Sequence, residues 1–206
     1  MSLKLDRSIT QIFTKSGTEI VKVVAKSNGA VLWEKISAYY AYQNGVANTS
    51  SGVANPTITE KDAKNGEFET SPYIGLYKNA ICMRASYSAN NTNHAPVYAM
   101  TTPILPTNGQ KNVSIDCIEG HDSWGGGSST ASIIVYGVSS NGSDTELYNV
   151  PMVTGYASYP TSITLDISSY ESIKITLRRV TSASTSGYTN LSATSYDGIQ
   201  NVYFYS

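Results

Sequence analysis

The stretch 162–180 constrains this chain more than any other. Ile163, Leu165 and Ile167 alternate with polar residues, a corner follows at Ser168–Ser172, and Ile173, Ile175 and Leu177 resume the same alternation. Successive side chains of a strand point to opposite faces, so a period of two with one apolar face specifies strands half-buried against a core. A last apolar run, Asn201–Tyr205, closes the sequence. Strands of this kind bury their apolar faces by packing sheet on sheet.

Upstream, from about residue 71, strand-like runs alternate with turn clusters, and no amphipathic helix intervenes. The runs are Tyr73–Tyr77, Ala80–Ser86, Pro96–Thr102, Val113–Glu119, Ala131–Val138, Glu146–Tyr148, Ser162–Ile167, Ser172–Val180 and Gln200–Tyr205. Between them lie Asn90–Asn93, Thr107–Gly109, Gly125–Gly127 and Asn141-Gly142. Short strands at this spacing predict an all-β sandwich or barrel. The run Leu165-Asp166-Ile167-Ser168, with Tyr170 and then Ile173-Lys174-Ile175 before a final strand, resembles the closing strands of galactose-binding-like jelly rolls, among them many carbohydrate-binding modules. The resemblance covers residues 162–205. It implies a jelly-roll-type antiparallel β-sandwich over 71–206 and names no ligand.

The N-terminus has a different pattern. Residues Ile9–Glu19 and Ile20–Ala30 repeat at a period of eleven, each a β-branched run followed by Lys-Ser and a turn pair, and Val31-Leu32-Trp33-Glu34 begins a third copy. Asn28-Gly29 is a strong two-residue hairpin signal, because both central positions of a type I′ turn need positive φ. Residues 1–36 therefore read as a small three-stranded β-meander. A sheet that small is marginal alone and must pack on something, with Trp33 as its expected assembly contact. The same stretch resembles the openings of tail- and baseplate-associated proteins of prophages. The resemblance implies a docking module, other virion proteins as partners, a homo-oligomer, and a virion location. Residues 37–70 are expected to be a linker and a first sandwich strand, with Asn44-Gly45, Ser51-Gly52 and Asn55-Pro56 breaking the pattern.

Charge excludes some functions. With a net charge of −1 the chain has little with which to neutralise phosphates, which argues against nucleic acid as a partner. Its basic surplus is confined to residues 1–36, where Lys4, Arg7, Lys15, Lys22, Lys26 and Lys35 face only Asp6, Glu19 and Glu34. No apolar run approaches transmembrane length, so no membrane insertion is expected. Met1–Asp6 lacks the apolar core of a secretory signal, so either export is not Sec-dependent or a signal has been removed. Cys82 and Cys117 fall on separate expected strands. One disulfide is conceivable, but two free buried thiols are favoured in a chain without a signal.

Catalytic motifs are missing: there is no nucleophile elbow, His-Glu-x-x-His helix or phosphate loop. His121-Asp122-Ser123 holds three triad residue types, but adjacent residues cannot stack as base, orienter and nucleophile. Asp116, Glu119 and Asp122 could serve as a glycosidase pair or hold a structural Ca²⁺, although neither the cleft separation nor a spaced acidic loop is visible, and no cofactor is expected. His94, His121 and the cysteines lack zinc spacing. Arg178 and Arg179 point to opposite faces, one exposed and the other neutralised at the sandwich edge.

A ligand is best accommodated by the loop 119–129, where Trp124 with Asp122 and His121 offers an aromatic face beside hydrogen-bonding groups, as sugar stacking needs. Trp124 could equally fold back and cap the sandwich edge. The expectation is a non-enzymatic tail-associated virion protein displaying a sandwich that binds host-surface glycan. A bacterial carbohydrate-binding module or adhesin domain, and a purely structural oligomer-former, are the alternatives.

Overall fold

The structure, a computed structural model, describes residues 22–27, 30–36, 38–62, 68–88, 97–121, 129–152, 159–181 and 192–206. The strands are β1 (Lys22–Ser27), β2 (Ala30–Ile36), β3 (Tyr39–Gln43), β4 (Val46–Ala47), β5 (Thr57–Asp62), β6 (Phe68–Tyr77), β7 (Ala80–Ser88), β8 (Val97–Thr101), β9 (Leu105–Pro106), β10 (Asn112–His121), β11 (Ser129–Val138), β12 (Asp144–Pro151), β13 (Tyr159–Asp166), β14 (Ser172–Thr181) and β15 (Ser192–Tyr205). A 3-10 turn, Thr49–Ser51, is the one helical element among the described residues.

Strands β3–β15 form two antiparallel sheets. One has seven strands, running β13-β10-β15-β3-β4, with β7 also paired to β15 and β6 to β7. The other has six, running β12-β11-β14-β8-β5, with β9 paired to β14. The chain crosses repeatedly from one sheet to the other, as in a jelly roll, and the all-β sandwich expected from the alternation is what forms. All nine expected runs are strands. The 14-residue β15 organises the seven-stranded sheet: residues 112–121 of β10 flank one edge, and β7 and β3 share the other.

Alternation decides what each strand buries. In β14, Ile173, Ile175 and Leu177 are fully buried between the sheets, while Lys174, Thr176 and Arg178 face outward. They meet Val113, Ile115, Val202 and Phe204 from the opposite sheet in one core. Each such aliphatic side chain contributes about 1.5–3 kcal/mol on burial. In β15 the inward parity would fail without a β-bulge. Asp116 pairs with Asn201 and Cys117 with Ile199, so Gln200 is the extra residue, and Ile199 and Val202 can both point inward.

The stretch 37–70 contains β3, β4 and β5, which lie inside the two sheets. Asn44 and Gly45, with φ of 51° and 75°, make the tight turn between β3 and β4. The turn favours glycine at 45, because an added Cβ would stand 2.4 Å from the Ala80 carbonyl carbon. Its N–H donates to Gln200 O at 2.8 Å, pinning the turn to the bulge. Tyr39 stacks on Phe204 inside the sandwich at 5.0 Å, and buried Tyr42 donates to Ala54 O at 2.6 Å. Burial raises both phenol pKa values above their ordinary range.

Strands β1 and β2 form a separate antiparallel hairpin in which Ser27 pairs with Ala30. The first strand of the expected meander, around residues 9–14, lies outside the described residues. Cys82 and Cys117 are free and buried. They sit on opposite faces of the seven-stranded sheet, Cys117 in the inter-sheet core and Cys82 in a small outer cluster with Ala80, Ile118 and Tyr196.

Candidate functional site

The outer face of the six-stranded sheet carries a groove of about 540 Å³. Its floor follows from register. Ile134 of β11 pairs with Thr176 of β14, and Thr176 with Thr101 of β8; on either side run Tyr136–Lys174 and Ser132–Arg178–Ala99–Glu60. Three threonine hydroxyls join across the strands, Thr59 to Thr101 at 2.8 Å and Thr101 to Thr176 at 2.9 Å.

Two ion pairs frame this hydroxyl row. Arg178 donates to both Glu60 oxygens, Nε to Oε2 at 2.7 Å and Nη2 to Oε1 at 3.0 Å. The hydrogen bond from Arg178 holds the Glu60 carboxyl below its ordinary pKa, against a smaller opposing effect of partial burial. At the other end Lys174 pairs with Asp144 and lies 5.3 Å from the centre of the Tyr136 ring. The groove thus offers an aromatic ring, fixed hydroxyls, and charged donors and acceptors in matched pairs, all on strands. Such a surface can pack against the C–H face of a sugar while bonding its hydroxyls. Beneath it, Arg179 turns inward.

Several expected site residues stand elsewhere. Arg179 is fully buried between the sheets, not at the sandwich edge, and binds Asp197 through Nε and Nη2 at 2.8 and 2.6 Å and Glu119 through Nη2. Desolvation opposes its charge, but Asp197, Tyr98 and Glu119 outweigh that cost and raise its pKa well above the ordinary value. Asp116 and Glu119 do not share a site. They are three residues apart on β10 and so face opposite ways, Glu119 into the core and Asp116 outward, where it accepts from Ser162 and Asn201. That separation removes them as a catalytic or Ca²⁺-binding pair. Among the described residues no three His, Cys, Asp or Glu side chains are placed to hold a metal ion. His121 ends β10 opposite Ser195, with its side chain outside the description. Asp122, Trp124 and His94 lie outside the described residues. Trp33 stands on β2 opposite Ala25, its side-chain contacts likewise outside the description.

Alternation marks which side chains of a strand face outward, but nothing in the sequence brings Tyr136, Thr101 and Glu60 beside β14. Lys174, Thr176 and Arg178 are the outward half of the run whose inward half is Ile173, Ile175 and Leu177. The polar set was therefore present in the same stretch.

The chain is an all-β sandwich of the jelly-roll type, and comparison with solved structures returns proteins of similar outline. They include the enzymatically active domain of tailspike protein 4 of Bacteriophage CBA120 (7% identity, TM-score 0.43, covering 73% of this chain and 19% of that one). The CBM27-1 of Caldicellulosiruptor saccharolyticus, determined in complex with mannohexaose, is 13% identical, with a TM-score of 0.43, covering 83% of this chain and 98% of that one. The CBM22-1 xylan-binding domain of Paenibacillus barcinonensis Xyn10C is 11% identical, with a TM-score of 0.40, covering 82% and 96%. This chain spans about a fifth of the tailspike chain's length. No family model matches the sequence, and no curated protein does.

Proposed function

We propose that this chain is a non-catalytic glycan-binding β-sandwich whose site is the groove on the six-stranded sheet. The observation that carries the reading is the juxtaposition of the Tyr136 ring, the Thr59–Thr101–Thr176 hydroxyl row and the Arg178–Glu60 pair on one solvent-facing surface. Sugars present alternating C–H patches and hydroxyls, and this surface presents the complement of both. The two cations each face a carboxylate, so the groove favours an uncharged oligosaccharide over an anionic one.

The assay is binding of the full chain to immobilised cellulose, xylan, mannan and a bacterial surface polysaccharide, at low and high salt. Retention on at least one neutral polysaccharide, insensitive to salt, supports the reading. Retention on none of them overturns it.

A second reading keeps the glycan site and places the protein on a phage or prophage tail, docked through the N-terminal repeat and Trp33 as a homo-oligomer. The eleven-residue repeat that ends in Val31-Leu32-Trp33-Glu34 favours it. Co-purification of the full chain with virions tests it, and its absence from purified particles removes it.

A further inference from the structure

The opposite face of the sandwich carries a second surface with different chemistry. On the seven-stranded sheet Tyr203 of β15 pairs with Tyr40 of β3, and their rings lie 4.6 Å apart. Two residues along, Tyr205 stacks on Tyr203 at 5.7 Å. The three rings form a row on the outer face. At its β3 end is a pocket of about 300 Å³ lined by Tyr40, Gln43, Val46, Ala47 and Asn48.

A polar row runs beside the rings. Asp116 accepts from Ser162 Oγ at 2.7 Å through one carboxylate oxygen and from Asn201 Nδ2 at 3.0 Å through the other. The Asn201 carbonyl in turn accepts from Asn44 N–H at 3.0 Å, which fixes the amide orientation. Each Asp116 oxygen keeps a lone pair for a further donor. At the pocket, the Asn48 side chain is held at both ends: Nδ2 donates to Tyr40 O at 2.9 Å, and Oδ1 caps the 3-10 turn by accepting from Ser51 N–H at 3.2 Å.

We propose that this tyrosine row and its pocket form a second glycan-binding surface, independent of the groove, for a neutral oligosaccharide. Tyrosine supplies aromatic area and a hydroxyl while losing only two side-chain torsions, and here mutual stacking and strand pairing have already restricted them. Sign of charge selects the ligand class. Residues 112–116, 162–166 and 201–205 carry the carboxylates Asp116 and Asp166 and no Lys or Arg, and Lys111, at the Tyr205 end of the row, lies close enough to Asp166 to be offset by it. A uronic or sialic acid would meet like charge, whereas an uncharged sugar meets acceptors for its hydroxyls. With the groove on the other sheet, one chain would hold two glycan strands at once, and on a polysaccharide surface the second contact would be gained at high effective concentration.

Calorimetric titration of the full chain with cellohexaose, xylohexaose and mannohexaose tests this, using wild type, Tyr136→Ala and the double variant Tyr40→Ala/Tyr203→Ala. The expected result is two equivalents in wild type and one in each variant, the equivalent at the tyrosine row being weakened about tenfold or more by loss of its rings. Tyr203→Phe, which keeps the ring, should retain that equivalent. One equivalent that survives the double variant unchanged overturns the second surface and leaves the groove standing. One equivalent lost in the double variant and kept in Tyr136→Ala supports the tyrosine row and overturns the groove. No binding of any of the three sugars overturns both. A dimer that becomes monomeric in the double variant, with sugar binding unchanged, assigns the row to self-association and overturns the proposal.

Discussion

Arg179 of β14 and Asp197 of β15 form a two-pronged ion pair, fully buried, that ties one sheet of the sandwich to the other. Glu119 of β10 binds the same guanidinium from a third strand. Removing one partner of such a cluster strands the remaining charges in a medium that cannot solvate them. Arg179→Ala should therefore destabilise the fold by about 3–5 kcal/mol, read as a lower urea midpoint. Arg179→Lys should recover little, because an ammonium cannot reproduce the planar fork. A midpoint within experimental error of wild type for Arg179→Ala would show that the cluster contributes no net stability.

Gly45→Ala should lower the melting temperature. The new Cβ meets the Ala80 backbone at 2.4 Å, and the φ of 75° is unfavourable for alanine. The expected cost is more than about 1 kcal/mol. Gly142→Ala is the control: its φ of 81° is similar but nothing lies within 4 Å, so it should cost only the backbone strain. Equal losses in the two variants would mean that the close approach to Ala80 is relieved by a small shift.

Both thiols should be inert in the native protein. Burial pushes the Cys82 thiol up to about 12, aided by Asp197, and drives Cys117 beyond that range. At pH 8 a thiol-specific disulfide reagent should label neither until denaturant is added, and then both. Rapid native labelling of either would contradict the placement of these residues.

Binding at the groove should depend on pH in one direction. The Arg178 hydrogen bond lowers the Glu60 pKa in the folded protein, so the pair's contribution is fully present above the unfolded glutamate value of about 4.3. It is lost as pH falls through the lower folded value. Oligosaccharide affinity should hold from neutral pH down to the unfolded glutamate value and decline only below it, as Glu60 takes up its proton in the folded protein. Glu60→Gln should lose that acid-side decline.

The sandwich was legible in the sequence because its core strands alternate so regularly. Ile163, Leu165 and Ile167, then Ile173, Ile175 and Leu177, announce a buried face, and Val113, Ile115 and Cys117 repeat it. Strand β5 was not legible: Ile58 is the lone core-packed side chain in Thr57–Asp62, and Glu60 is spent on Arg178 at the surface. Strand β3 was hidden differently, since Tyr39, Tyr40 and Tyr42 do not show which ring faces in. The bulge at Ala41 lets Tyr39 and Tyr42 both turn to the core and Tyr40 outward, and a bulge is set by pairing with β15. The Arg179 cluster was half visible, as one arginine facing inward, but its partners lie 18 and 60 residues away. Only the fold brings them together.

The central claim is that the outer face of the six-stranded sheet binds glycan through Tyr136 and its neighbours. Titration of one neutral oligosaccharide into wild type, Tyr136→Ala and Trp124→Ala, each with an unchanged melting curve, tests it most directly. The account predicts that Tyr136→Ala loses the groove equivalent while Trp124→Ala at most weakens it. Groove binding at wild-type affinity in Tyr136→Ala would contradict it.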